Sequence, residues 1–320
     1  MADTADTPAQ QVDEIASIAP TSPRVHRHPS FYIPDGTHVF RVGSTCYKLH
    51  AGVLCSVSAT FVGMFGTVPT SSGGTSEGQT DEAPICIPDS EPFTELNFEM
   101  LLTLLYPGCM KMDDRTPISR YLGLLRIGLL LQCKIAQDAA KAMIWKKRYY
   151  IGAVDMVDYA REFSIRAWLE FGFASLIDIS NTSYQQLSED HFLRLGMPFV
   201  ARMCYARESL ERHLRIVACE PPSFTHAPDC TSNMQCDEDW RAVWWNIMGR
   251  CLLDGRAPKT WEGAVERLTG SEFGNMPYAC VQAGMNVVRG GKAFHVGEAF
   301  AANAAEEFAR EMIVYEDMED

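Results

Sequence analysis

The strand-like segments of this 320-residue chain lie in its first 90 residues, and most apolar runs after them repeat at three- and four-residue spacing. Such a chain cannot build a large sheet. It can build a small one that helices cover, an α+β arrangement. Val39-Phe-Arg-Val42 and Cys46-Tyr-Lys-Leu49, separated by Gly43-Ser44-Thr45, read as a hairpin, and the turn signal Pro34-Asp35-Gly36 precedes it. Ile85-Cys86-Ile87, bounded by Pro84 and Pro88, suits a third short strand near a sheet edge.

Helical spacing organises the rest. Val53, Leu54, Val57, Phe61, Met64 and Phe65 fall on one face of a helix over 50–65, which Gly66 ends. Residues 66–83 hold glycine, serine and threonine with almost no core-forming side chains, and read as an exposed loop. Ser90 and Pro92 open a helix that carries Phe93, Leu96, Phe98, Leu101 and Leu105 and stops at Tyr106-Pro107-Gly108; a further helical series runs over 116–144. Residues 151–218 read as helices throughout, with Ser188 as a cap. Trp240 and Trp244 stand one helical turn apart, which suits packing between helices or an aromatic anchor for a partner. Trp261, Val265 and Leu268 suggest a short helix, and the glycine-punctuated segment 270–291 is ambiguous. The expected organisation is a disordered tail over 1–28, an α+β unit over 29–145, a helical region over 146–218, a helical or irregular region over 219–305, and an acidic tail over 306–320.

Charge excludes some partners. Lys plus Arg number 28 against 41 Asp plus Glu, a net charge of −13 that repels phosphate backbones and anionic lipid. The compact basic patch Lys146-Lys147-Arg148 lacks supporting positive charge and reads as a solvated helix end, so direct nucleic-acid binding is not expected. The longest apolar candidate, Leu122 to Cys133, is too short for a membrane span and contains Arg126, and the N-terminus lacks the apolar stretch of a signal peptide. Residence in the cytoplasm or nucleus is expected, with the eleven cysteines mostly buried thiols.

The residues Gly36-Thr-His-Val-Phe-Arg-Val42, Tyr47-Lys-Leu-His50, Leu54-Cys-Ser-Val-Ser58, Phe61-Val-Gly-Met-Phe65, Phe98-Glu-Met-Leu-Leu102 and Leu105-Tyr-Pro-Gly108 resemble, in this order and spacing, the BTB/POZ domain. The resemblance covers 35 to about 144, and Ala153-Val-Asp-Met-Val157 with Tyr159-Ala-Arg-Glu-Phe163 extends it toward fungal, basidiomycete-type BTB proteins. Two departures stand out: Ala51 where many members carry a basic residue, and a longer glycine-serine insertion before Pro84. The resemblance implies a short mixed sheet covered by helices, a mainly helical C-terminal region, and a role in binding other proteins as an adaptor or scaffold. It implies homodimerisation through the N-terminal strand region and first helix, where Phe31, Tyr32, Ile33, Met64 and Phe65 are the candidates; Met64 and Phe65 suit the core equally well. It also implies docking to a cullin scaffold of ubiquitin ligases, for which Met112 and Asp114 form the apolar-x-acidic pattern, although a solvated acidic turn has the same composition. The alternative role is a transcription-associated regulator that acts through partner proteins.

No catalytic motif is found. There is no Gly-x-Ser-x-Gly or His-Glu-x-x-His, and Gly290-Gly-Lys292 fails as a phosphate loop because Asn286 and Ala293 occupy required Gly and Ser/Thr positions. The BTB resemblance makes His50 a packing and capping residue rather than a base, and His295 reads as structural. No cofactor or catalytic residue is therefore expected. Cys219, His226, Cys230 and Cys236 supply four potential zinc ligands, but they lack the close Cys-x2-Cys pair of most structural sites. An irregular connection with unligated thiols is the expectation there.

Overall fold

The computed structural model describes residues 25–66, 77–108, 115–178, 187–254, 261–290, 302–303 and 306–310. The protein is α+β, with a small four-stranded sheet and mostly helical content, and it divides between Lys147 and Arg148 into two units.

In the first unit the strands β1 (His26–Tyr32), β2 (His38–Val42), β3 (Thr45–Leu49) and β4 (Ile85–Ile87) are ordered β1-β3-β2-β4. β2 and β3 form the expected antiparallel hairpin, pairing Phe40 with Tyr47 and Val42 with Thr45. Its turn needs a positive φ at Gly43, 56°, which glycine adopts without strain. Ser44 N donates to Glu95 Oε1 at 2.8 Å, so a carboxylate at the start of a later helix fixes this turn. β4 runs parallel to β2 at one edge, as its flanking prolines suggest. β1 runs parallel to β3 at the other edge, with its register shifting between Arg27 and Tyr32. That strand starts inside the tail expected over 1–28. His26 gains order from β3, donating from its backbone N to Ser44 O at 2.9 Å; residues 1–24 lie outside the described residues.

The helix expected over 50–65 is two: α1 (Ala51–Val57) and α2 (Ala59–Gly66). Ser58 breaks it with extended backbone, φ −144° and ψ 117°. Its Oγ donates to Leu131 O at 2.5 Å and accepts from Phe61 N at 3.2 Å, so one hydroxyl caps α2 and ties it to a distant helix end. Residues 67–76 of the expected loop lie outside the described residues. α3 (Glu95–Leu105) starts later than Ser90, because Thr94 accepts from Asn97 N at 3.2 Å and acts as the cap. The series over 116–144 forms α4 (Ile118–Leu130) and α5 (Lys134–Lys146), interrupted at Gln132, φ 51°. Phe31, Phe40, Tyr47, Phe61, Phe98 and Leu125, all fully buried, form the core between sheet and helices.

The second unit opens with a 3-10 turn, Arg148–Tyr150, then α6 (Ala153–Glu162) and α7 (Arg166–Ile177). A side chain at Gly172 would lie 2.8 Å from Val157 Cγ2, so its absence lets α6 and α7 approach closely. α8 (Glu189–Leu195) starts at the expected cap: His191 N donates to Ser188 Oγ at 3.4 Å and Ser188 N donates to His191 Nδ1 at 3.0 Å. Gly196, φ 79°, separates it from the long α9 (Met197–Cys219). α10 (Asn233–Trp244) continues through a π turn (Trp245–Gly249) into α11 (Arg250–Leu252), and α12 (Trp261–Thr269) follows. The ambiguous segment over 270–291 contains a 13-residue helix, α13 (Tyr278–Gly290). Trp240 and Trp244 are buried, as core packing requires, while Trp245 is half exposed.

Residues 306–310 of the expected acidic tail are helical. Phe308 is buried against Phe173 and Phe199, with ring centroids 5.6 and 4.8 Å away, because the apolar ring outweighs its acidic neighbours; Glu306 is itself paired with Arg166 at 2.9 Å. Among the described residues no helix is long and apolar enough to cross a membrane.

Candidate functional site

Three expected interaction residues sit on or just after the edge strand β1. Phe31 is fully buried and cannot serve as an exposed contact: its ring packs within the core, 4.9 Å from His28 and 6.5 Å from Tyr106. The register shift between Arg27 and Tyr32 breaks the two-residue alternation and puts Phe31, three residues after the buried His28, on the inner side. Tyr32 is half-buried and internally engaged. Its hydroxyl donates to Asp81 Oδ1 at 2.5 Å and the Arg27 guanidinium lies 4.5 Å over its ring. The Tyr32 hydroxyl, followed by the Arg27 hydrogen bond and charge, holds the Asp81 carboxyl below its usual range. Ile33 is half-buried and donates from its backbone N to Lys48 O at 2.9 Å.

α2 presents a mixed face. Phe61 points fully inward, Met64 and Phe65 are half-buried, and Val62 is 53% exposed. Phe65 packs 4.7 Å from the ring of His38 and 6.1 Å from that of Phe40, so it bridges core and surface. Met112 and Asp114 lie outside the described residues. His50 occupies the N-cap position of α1 without a side-chain cap bond, contrary to its expected capping role; its Nε2 faces Asp35 Oδ1 at 3.5 Å and its backbone N donates to Tyr106 Oη at 3.0 Å. The Lys147 end of the basic patch donates to Thr116 O at 3.1 Å, as a helix-end cation can.

His28, buried beneath β1, couples this unit to pH. Its Nδ1 accepts from Phe31 N at 2.9 Å and Ser30 N at 3.1 Å, which requires the lone pair of a neutral ring. Nε2 then carries the proton and faces Glu99 Oε1 at 3.5 Å. Burial pushes the His28 pKa below its ordinary value, and the nearby Glu99 carboxylate opposes this only in part. His38 shifts the same way, also by burial. A depressed histidine pKa means that the unfolded chain binds protons first. Stability is therefore full above the free imidazole value near 6.5 and falls as pH drops through it. Hydrogen exchange of the amides over 26–49, followed from about pH 7.5 to about pH 5 and corrected for intrinsic rates, is expected to show falling protection. Unchanged or rising protection would contradict this sign.

The second unit holds a compact group of soft ligands. His226 and Cys230 lie on the irregular segment after α9, Cys236 in the first turns of α10, and Cys280 in the first turn of α13. Their ligand atoms all lie within 4.8 Å of one another. His226 Nδ1 is 3.8 Å from Cys230 Sγ, His226 Nε2 is 3.2 Å from Asp237 Oδ1, and Ala227 N donates to Cys280 Sγ at 3.3 Å. Burial, then the Cys280 and Cys230 thiols, push the Cys236 thiol up to about 12. Cys219, a candidate ligand by its place in the sequence, is exposed and not a member; it ends α9, and Cys280 takes the fourth place. The exchange is tertiary in origin, since Cys280 arrives on a helix that the glycine-rich segment concealed.

Comparison with known families and proteins adds no identification: no family model matches the chain, and no curated protein matches it.

Proposed function

We propose that the chain is a BTB-like protein-interaction module, an adaptor or scaffold that associates with a second copy of itself, and that it is not an enzyme. The observation that carries this reading is the α2 face, where the exposed Val62 adjoins the half-buried Met64 and Phe65. The architecture lends support: a short mixed sheet, with β2 antiparallel to β3 and parallel to β4, covered by helices is what the BTB resemblance implies. The same reading extends to a link between a bound partner and a cullin-type ubiquitin ligase, supported by the apolar-x-acidic pattern of Met112 and Asp114.

Light scattering on the full chain tests self-association. The expected mass is twice the 35.7 kDa of one chain, and Val62→Glu is expected to return it to the single-chain value. As a surface change, it should alter stability by only about 0.5 kcal/mol or less. A single-chain mass at every concentration would overturn the reading.

A further inference from the structure

From the convergence of their ligand atoms, we infer that His226, Cys230, Cys236 and Cys280 bind one zinc ion that staples the second unit. Four donors of the right chemistry point at one place: three sulfurs and one imidazole nitrogen, all within 4.8 Å of each other. A tetrahedral zinc with Zn–S of about 2.3 Å and Zn–N of about 2.0 Å separates its ligand atoms by roughly 3.5–3.8 Å. The 3.8 Å between His226 Nδ1 and Cys230 Sγ already meets that spacing, and the remaining pairs need to close by no more than about 1 Å to reach it. An iron–sulfur cluster holds its terminal ligands further apart than a single ion does, so this group is too tight for one. Thiolate and imidazole in a tetrahedral set select zinc over the hard cations.

The surroundings complete the site. With its Nε2 proton directed at Asp237, 3.2 Å away, His226 leaves the Nδ1 lone pair facing the cysteines. This carboxylate–histidine pairing fixes the tautomer that a metal needs. The Ala227 amide donates to Cys280 Sγ, a bond that favours thiolate over thiol. Cys236 and Cys280 stand near the N-terminal ends of α10 and α13, where helix dipoles favour negative sulfur. Four protein ligands leave no coordination position for substrate, so the ion is structural.

Its mechanical role follows from which parts it joins. The segment between α9 and α10 has no regular structure, and Pro221, Pro222 and Pro228 deny it backbone donors. Trp240 Nε1 donates to Pro222 O at 3.0 Å and Phe224 packs on the Trp240 ring at 5.6 Å, which anchors the first part of the segment. Zinc would anchor the second part to both α10 and α13, closing a long loop of chain.

The full chain, purified without chelator and dialysed against metal-free buffer, is expected to retain about one zinc per chain by plasma emission spectroscopy. Cys219→Ser should keep that stoichiometry. His226→Ala and Cys230→Ala, at half-buried positions, should lose it while their far-UV circular dichroism keeps a helical spectrum. Because a variant can misfold, cobalt(II) added to the metal-stripped wild-type chain provides an independent readout: intense visible bands of a tetrahedral site with near-UV thiolate charge transfer. A folded wild-type chain that holds no zinc and gives only the spectrum of hydrated cobalt would overturn the proposal. So would loss of zinc in Cys219→Ser alone, or a disulfide between two of the three proposed cysteines in the purified chain.

Discussion

Trp244→Ala is expected to destabilise the second unit by about 3–5 kcal/mol, the range for removing a fully buried large aromatic ring. Trp244 is wholly buried between Trp240 and Trp261, with ring centroids 5.9 and 6.5 Å away. It also does something that area alone does not measure. Its Nε1 donates to Val217 O at 2.9 Å, and Val217 lies in the last turn of α9, where carbonyls lack partners within the helix. The indole therefore ties off one helix end while filling the space beside it. Trp244→Phe separates the two contributions: it keeps much of the buried area but abandons the carbonyl, and should cost about 1–3 kcal/mol. Hydrogen exchange over 214–252 is the measurement, because urea unfolding of a chain with two units need not be two-state. Alanine should release the amides at the end of α9 and throughout α10 together. If they keep wild-type protection, this ring is not the centre of that core.

The sequence made legible whatever depends on neighbours along the chain. The hairpin, the Ser188 cap and the inward-facing Trp240 and Trp244 each rest on spacing of a few residues. What escaped depends on partners far away. β1 contains Pro29 and no clean alternation, and it is a strand because β3 offers a free edge. Phe31 lacks a periodic frame that would have assigned it to the interior. Ser58 divides a continuous apolar stripe into two helices through its bond to Leu131 O, which no local pattern contains. The soft-ligand group was half legible: His226, Cys230 and Cys236 lie close in sequence, but Cys280 stands among glycines that hide a helix, and Cys219 looked eligible by proximity alone. In the described part of the acidic segment, Phe308 packs on Phe173 and Phe199, a pairing that depends on residues far away along the chain.

Phe40→Ala is expected to cost the first unit about 3–5 kcal/mol and to abolish self-association along with stability. Phe40 is the point where sheet and helices meet: its ring lies 6.1 Å from Phe61, 6.1 Å from Phe65 and 6.3 Å from Phe98. Phe61 and Phe65 both belong to α2, so this one ring from β2 supports the helix that presents Val62. Without it α2 loses its floor, and its exposed face loses a fixed shape. The pair of variants therefore discriminates between a face that merely exists and one that the fold holds in place. Val62→Glu should remove association at wild-type stability, whereas Phe40→Ala should remove both, with hydrogen-exchange protection over 26–49 falling before any mass change is interpreted. If Phe40→Ala remained associated while losing stability, the contact between copies would not depend on the α2 face that this ring supports, since a surface that loses its packed floor loses complementarity.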